Sequence, residues 1–539
     1  MEDDGGVETD AGVDGEVEGD AFVNPAWFEP DPQGRVTEGD RTDADPEMMV
    51  VSPPELMEAW QAFAVTRTLH GVHTGVVDVD AVLEAYPEAE DYAEALRSYL
   101  ADQVADYGLR FALLGGDAME VPYQRIRNEI TVPMVGDTYT SKGPSQLYFA
   151  NLEADWDADG DGKLGELGED MTLADGRTTH IAVGRVSADL VGQVDDYHQK
   201  VADYVTVHLG RTDYPLLLSD LAASVPLVGE IDGAEANELT VADFFPQPFK
   251  DHARRLYATQ EAVDTYGGQL LTAPRVEEAF DEGYPLVFHS GHGSHGWLTN
   301  SLDIAFVNDL DNALAPVLVS CACLAGNFAD VADTPTCDGW NLQTPDLDSA
   351  GERFILSDGG GVAYVGNTAT GLGPIGGSQF LHAMMEGVFV EGVNLIGEAV
   401  NYARGRFREI PFDFPLVSDL MDDACEWWTQ NVVILHGDPS LPIRTALPLA
   451  VDIETPASYG PGYTELTVTV TGPDAQPLPD LTVSAYKYDD FYLRAYSDAQ
   501  GRVVFRFVPY GPDDLHIGVA GGGVATTVVT VPPNLSGEL

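Results

Sequence analysis

With 539 residues the chain is long enough for three to four units of about 150 residues each, and 89 Asp and Glu against 26 Lys and Arg leave a formal charge of −63. That balance excludes nucleic acid and anionic membrane surfaces as partners, because both demand the opposite sign, and fits a protein kept soluble in high salt or secreted into a calcium-containing medium. No run approaches the ~20 apolar residues of a bilayer span, and Met1-Glu2-Asp3-Asp4 is the opposite of a secretory signal.

Residues 1–47 are mostly Asp, Glu, Gly and Val, with no aromatic before Phe22, and predict an acidic disordered tether of the kind that follows an export signal. A first α/β subdomain is expected over 48–205. Met48 to Val51, Gly75 to Val79 and Arg110 to Leu114 read as strands, alternating with amphipathic helices at Pro54 to Val65 and Tyr92 to Tyr107. Within it, Asp155, Asp157, Asp159, Asp161 and Glu166 satisfy D-x-D-x-D-G with an acid at position twelve, an oxygen-rich loop suited to Ca2+. A second frame from Asp157 puts Gly162 at the turn and Leu164 at the apolar anchor, with no acid at twelve; a merely solvated acidic loop is the alternative.

A second, catalytic α/β subdomain is expected over 206–448, with strands near Pro215, Arg255, Pro285, Ala315, Gly361 and Val432 and helices at Gln379 to Phe389 and Leu395 to Phe407. From 449 to 539 short alternating strands at about ten-residue spacing predict an immunoglobulin-like β-sandwich.

Two of the apolar runs carry chemistry at their ends. Pro285 to Phe288 leads into Ser290-Gly291-His292-Gly293-Ser294, and Ala315 to Val319 leads into Cys321-Ala322-Cys323-Leu324-Ala325-Gly326-Asn327-Phe328. Open α/β sheets bind ligands outside the carboxyl ends of their strands, so a His and a Cys displayed there share a cleft. An imidazole beside a thiol favours the thiolate and makes it a nucleophile. Cys323 is then the attacking group and His292 the proton carrier, with the NH groups of Gly293 and Cys323 receiving the oxyanion. Two other readings stay open: a zinc site built from Cys321, Cys323, His289, His292 and His295, and an inert buried cysteine pair. The remaining cysteines, Cys337 and Cys425, are open to pairing in an exported protein, with nothing local in support.

The arrangement resembles the gingipain-type, caspase-like cysteine peptidases. Five segments match that family in order: Ala112 to Ala118 with Val121-Pro122, Ala182 to Val186, the His292 turn, Cys323 to Phe328, and Leu435 to Pro442 with its Gly-Asp-Pro-Ser-Leu core. The resemblance implies an endopeptidase acting on proteins or peptides, secreted or at the cell surface, with calcium as a structural ion. It implies that Asp220 orients His292, that Asp232 lies at the base of a pocket for a basic P1 side chain, and that Ser290 and Cys321 wall that pocket. Where arginine-specific members carry a tryptophan, this chain offers Leu372. A catalytically silent, calcium-binding surface or adhesin protein of the same fold is the alternative.

Overall fold

The computed structural model describes residues 46–131, 138–141, 143–206, 214–225, 229–299, 302–329, 348–414, 421–488, 490–521 and 523–534. Most of the expected tether, and Cys337, lie outside them.

Eleven strands form one continuous sheet: β1 (Met48–Ser52), β2 (Thr74–Asp78), β3 (Phe111–Leu114), β4 (Ala182–Arg185), β5 (Leu216–Ser219), β6 (Arg254–Tyr257), β7 (Gln269–Leu270), β8 (Leu286–Ser290), β9 (Val317–Ser320), β10 (Ala363–Asn367) and β11 (Val433–Gly437), in the order β7-β6-β5-β8-β9-β10-β11-β4-β3-β1-β2. The central strands read as unbroken apolar runs because helices cover both faces. Alternation along each strand feeds two cores: Met48, Val50, Phe111 and Leu113 enter one, Met49, Val51, Ala112 and Leu114 the other. Helices α1 (Met57–Leu69) and α3 (Val191–Thr206) meet on the first face, where the Phe63 and Tyr197 rings stack 6.2 Å apart. Helix α2 (Tyr92–Tyr107) belongs to the second, capped by Asp91, which accepts the Glu94 amide, and closed by Gly108 at φ 71°. Three further helices matter to the site: α4 (Gly233–Phe244), α5 (Gly377–Phe389) and, after α6 (Ile396–Arg406), α7 (Asp423–Val432).

The sequence led us to expect two parallel-sheet subdomains, with the strand near Val432 in the second. The sheet is instead continuous, and β11 is the exception in it. It pairs antiparallel with β10 (Val365 opposite Leu435) and parallel with β4, so the chain's last sheet strand returns to the direction of the first block. Strand direction is set by the partner, which apolar content does not reveal.

Beyond residue 449 seven strands, β12 (Asp452–Glu454), β13 (Thr464–Thr471), β14 (Thr482–Lys487), β15 (Phe491–Tyr496), β16 (Arg502–Phe507), β17 (Leu515–Ala520) and β18 (Thr527–Val531), form two antiparallel sheets, β12-β13-β16 and β15-β14-β17-β18. They share one core that includes Leu466, Val468, Leu493, Phe505 and Ile517. This unit leans on the α/β part: the Thr526 amide donates to the Val205 carbonyl at 2.9 Å and the His73 and Tyr492 rings stack at 4.6 Å. Among the described residues no helix is long and apolar enough to cross a membrane.

Candidate active site

The site is built where β8 and β9 end. The two strands are parallel neighbours in which His289 faces Ser320, a separation of 31 residues. His292 and Cys323 have the same separation in sequence (323 − 292 = 31), and each follows the last paired position of its strand by three residues. Neighbouring strands run about 5 Å apart, within side-chain reach. The contact persists beyond the paired region: the Cys321 amide donates to the His289 carbonyl at 3.2 Å, and a Cβ at Gly293 would stand 2.6 Å from the Ala322 Cβ and 3.3 Å from the Cys323 carbonyl oxygen. Gly293 is therefore required by the close approach of the His292 turn to Ala322 and Cys323. In the short hairpin that follows, the Thr299 amide donates to the His292 carbonyl at 3.2 Å and Gly293 pairs with Leu298. Because antiparallel pairs alternate, Gly293 then occupies a non-hydrogen-bonded pair and its N–H points away from the partner strand.

The segment around Cys323 is held by neutral polar groups. Asn367, at the end of β10, donates from Nδ2 to the Ala322 carbonyl at 3.0 Å, while Ser320 Oγ accepts the Ala322 amide at 3.1 Å. Ser320 in turn lies 2.8 Å from His289 Nδ1. Burial, with the nearby His292, depresses the His289 pKa to about 3. Leu324 follows Cys323 at φ 59°, a left-handed conformation costly for a leucine, anchored by its amide to the Ala369 carbonyl at 2.9 Å. The Cys323 sulfur accepts the Gly371 amide at 3.3 Å, and Cys323 is half-buried while the His292 ring is exposed.

The other expected residues are brought to the same end of the sheet. Asp220, buried after β5, is tied to Ser290 through its amide (3.1 Å to the Ser290 carbonyl), and a Cβ at Gly291 would meet the Asp220 Cβ at 2.7 Å and His289 Nε2 at 3.0 Å. Asp220 thus shares the face of Gly291 and His289. Asp232 is the N-cap of α4: its Oδ1 accepts the Ala234 amide at 2.9 Å and Ser219 Oγ at 3.2 Å, and its Oδ2 accepts Thr259 Oγ at 2.5 Å. It remains beside the site, since a Cβ at Gly233 would overlap the Ser290 carbonyl oxygen at 2.0 Å. Ser290 is buried with an unpartnered Oγ, and Cys321 packs its Cβ against Gly377 at the start of α5. Leu372, at φ 54°, packs with Ile375, Cys425 and Trp428.

A family model described as peptidase family C25 matches residues 41–444. The chain belongs to peptidase family C25. This is a family of cysteine peptidases, and the match spans both blocks of the sheet. Among solved structures the C25 chain is similar to the Arg-specific cysteine proteinase gingipain R (RgpB), at 15% identity and a TM-score of 0.63 over 91% of this chain and 99% of that one. It is likewise similar to the complex of the Porphyromonas gingivalis RgpB pro- and mature domains, at 15% identity and a TM-score of 0.62 over 90% of this chain and 100% of that one. An uncharacterized protein of Archaeoglobus fulgidus is 23% identical over 351 residues, 61% of this chain and 76% of that protein. At such identities the structures establish a shared fold.

Two residues of the C25 site escaped sequence reading in the roles they hold. In the sequence His289 is only a possible zinc ligand; its place directly opposite Ser320 is a cross-strand fact. Trp428 on α7 donates from Nε1 to the Thr370 carbonyl at 2.7 Å, supporting the Gly371–Leu372 loop from behind across 58 residues of sequence. The cysteines and histidines do not form a metal-ligand group among the described residues. The acidic loop does converge: carboxylates of Asp157, Asp159 and Asp170 lie within 4.8 Å of one another, and the Gly162 amide donates to Asp157 Oδ1 at 3.1 Å. Asp157 and Asp159 belong to both frames of the loop, and Asp170 lies outside either. Glu166 instead faces Arg127 at 3.7 Å and Lys163 at 3.4 Å, Asp161 pairs with Lys163, and Asp155 takes the Asp157 amide at 3.4 Å.

Proposed function

We propose that this chain is a cysteine endopeptidase using Cys323 and His292. The observation that supports the reading is that both residues follow the carboxyl ends of the neighbouring parallel strands β8 and β9, where Gly293 lies tight against Ala322 and Cys323. His292 takes the Cys323 proton, and the sulfur attacks the scissile carbonyl carbon. The resulting oxyanion is received by the NH groups of Gly293 and Cys323. The C–N bond breaks as His292 returns the proton to the leaving amine, leaving a thioester. Water then attacks that thioester, giving one proton to His292 and releasing the carboxylate as the thiol re-forms. Asp220 acts from beneath, by holding the Ser290–Gly291 backbone that carries His292.

A basic P1 residue suits the pocket walled by Ser290, Cys321 and Leu372. Three of roughly four acceptor positions on Asp232 are filled, which leaves one on the Oδ2 side for a charge-assisted contact. The test is digestion of a peptide library by reduced protein and by Cys323→Ala. Cleavage after Lys or Arg that the substitution abolishes is expected; undiminished cleavage by Cys323→Ala overturns the nucleophile, and cleavage confined to apolar P1 removes Asp232 from recognition.

The loop from Asp157 to Asp170 fits a structural Ca2+, whose hard charge prefers clustered carboxylate oxygens. Calcium is expected to raise the melting temperature of the wild type by a few degrees, and Asp170→Asn to remove that shift. The seven C-terminal strands are read as an immunoglobulin-like sandwich, and the acidic tether as a sign of a secreted or surface-held protein.

A further inference from the structure

Where the sheet meets the C-terminal strands lies a cleft of about 730 Å³, the size of a small-molecule site. None of the catalytic residues lines it. In a chain where acids outnumber bases 89 to 26, the cleft inverts the ratio: Arg67, Arg110, Arg444 and Arg494 face it against Glu47 and Glu398. Three of these arginines are neutralised. Arg67 pairs with Asp438 at 2.8 Å, Arg110 with Glu398 at 2.6 Å and Glu47 at 3.2 Å, and Arg494 with Glu47.

Arg444 is different. Every other arginine among the described residues makes a hydrogen bond or an ion pair. Arg444 only lies over the Tyr204 ring, 4.6 Å from its centroid, with Nη2 buried and unpartnered. Beside the same cleft His70 is 8% exposed, and its buried Nδ1 also has no partner. A buried guanidinium nitrogen without an acceptor costs free energy that a bound oxyanion would recover.

We propose that this cleft binds a small organic anion, whose carboxylate or phosphate pairs with the Arg444 guanidinium and accepts from His70. Its apolar walls, Val72, Phe111, Leu395 and Val524 among them, would cover the ligand's body. Because both units line the cleft, the ligand would bridge them.

Titration calorimetry on the full chain at fixed salt, with citrate and separately with inorganic phosphate, tests this and tells the two anion chemistries apart. Saturable one-to-one binding of at least one probe is expected. Arg444→Gln should weaken it at least tenfold, with Arg406→Gln, an exposed control, unchanged. Failure of both probes to bind, or equal binding by Arg444→Gln, overturns the proposal. Hydrogen exchange of the unmutated chain gives a second reading: the bound probe should protect 392–398, 443–446 and 523–526, and protection confined to other segments overturns it.

Discussion

Two strand ends of one sheet are used in opposite ways. At the end of β4, Arg185 is fully buried and donates to the carbonyls of Gly116 (2.8 Å), Val121 (3.0 Å) and Pro122 (2.8 Å), while its guanidinium lies 4.5 Å from the Phe328 ring centroid. A fixed charge fills that end. At the ends of β8 and β9 the buried partners are neutral: Asn367, Ser320 and an imidazole kept uncharged by burial. The exposed histidine and the half-buried cysteine sit on top of them. A charged plug gives rigidity and closes the crevice; neutral hydrogen bonds hold a backbone in place and leave the crevice free for charge to develop during a reaction. Phe328 links the two, since it follows the nucleophile in sequence and stacks on the plug.

The largest effect is expected at the plug. Arg185→Met leaves three carbonyls without donors and should cost about 3–5 kcal/mol in denaturant unfolding. A loss under about 1 kcal/mol would break the contrast.

Acid should act on the neutral partners. His70, His289, His382 and His436 are buried, with pKa values depressed by desolvation to about 3, 3, 4 and 4. The unfolded chain, titrating near 6.5, takes up those protons first, so stability is present above pH 6.5 and lost as pH falls towards 3. Glu352, held protonated by burial up to about 8, opposes this between pH 8 and 4.5. Asp117, raised by burial to about 6, opposes it too, but the four histidines are displaced further, so the melting temperature is expected to fall from pH 6.5 to pH 4, and a flat profile would contradict buried neutral histidines.

A smaller effect is expected from His289→Phe, which keeps the volume but releases Ser320 from the imidazole. We expect kcat to fall roughly tenfold to a hundredfold with KM nearly unchanged, as suits a lost alignment. Unchanged kcat would make His289 a space filler.

Much of this was legible in the sequence because buried strands are apolar runs: β1, β3, β8, β9 and β10 fall where the residues predict them. The positions of His292 and Cys323 beyond the ends of β8 and β9 were legible for a related reason, since both residues follow such runs directly. The direction of β11 was not, because Val433 to Gly437 carries no mark of which neighbour it joins. Asp170 stayed hidden because it lies beyond a twelve-residue loop frame, and the capping role of Asp232 because α4 was not foreseen. The hold of Ser320 on His289 depends on register, which two separate strands do not state individually.

The central claim is that His292 activates Cys323. Alkylation by iodoacetamide, followed site by site with mass spectrometry from pH 5 to 9, tests it most directly. The account predicts that at pH 6 Cys323 reacts well ahead of Cys321 and Cys425, and that His292→Ala abolishes this lead while leaving the fold intact. Equal reactivity of Cys323 in the wild type and in His292→Ala would contradict it.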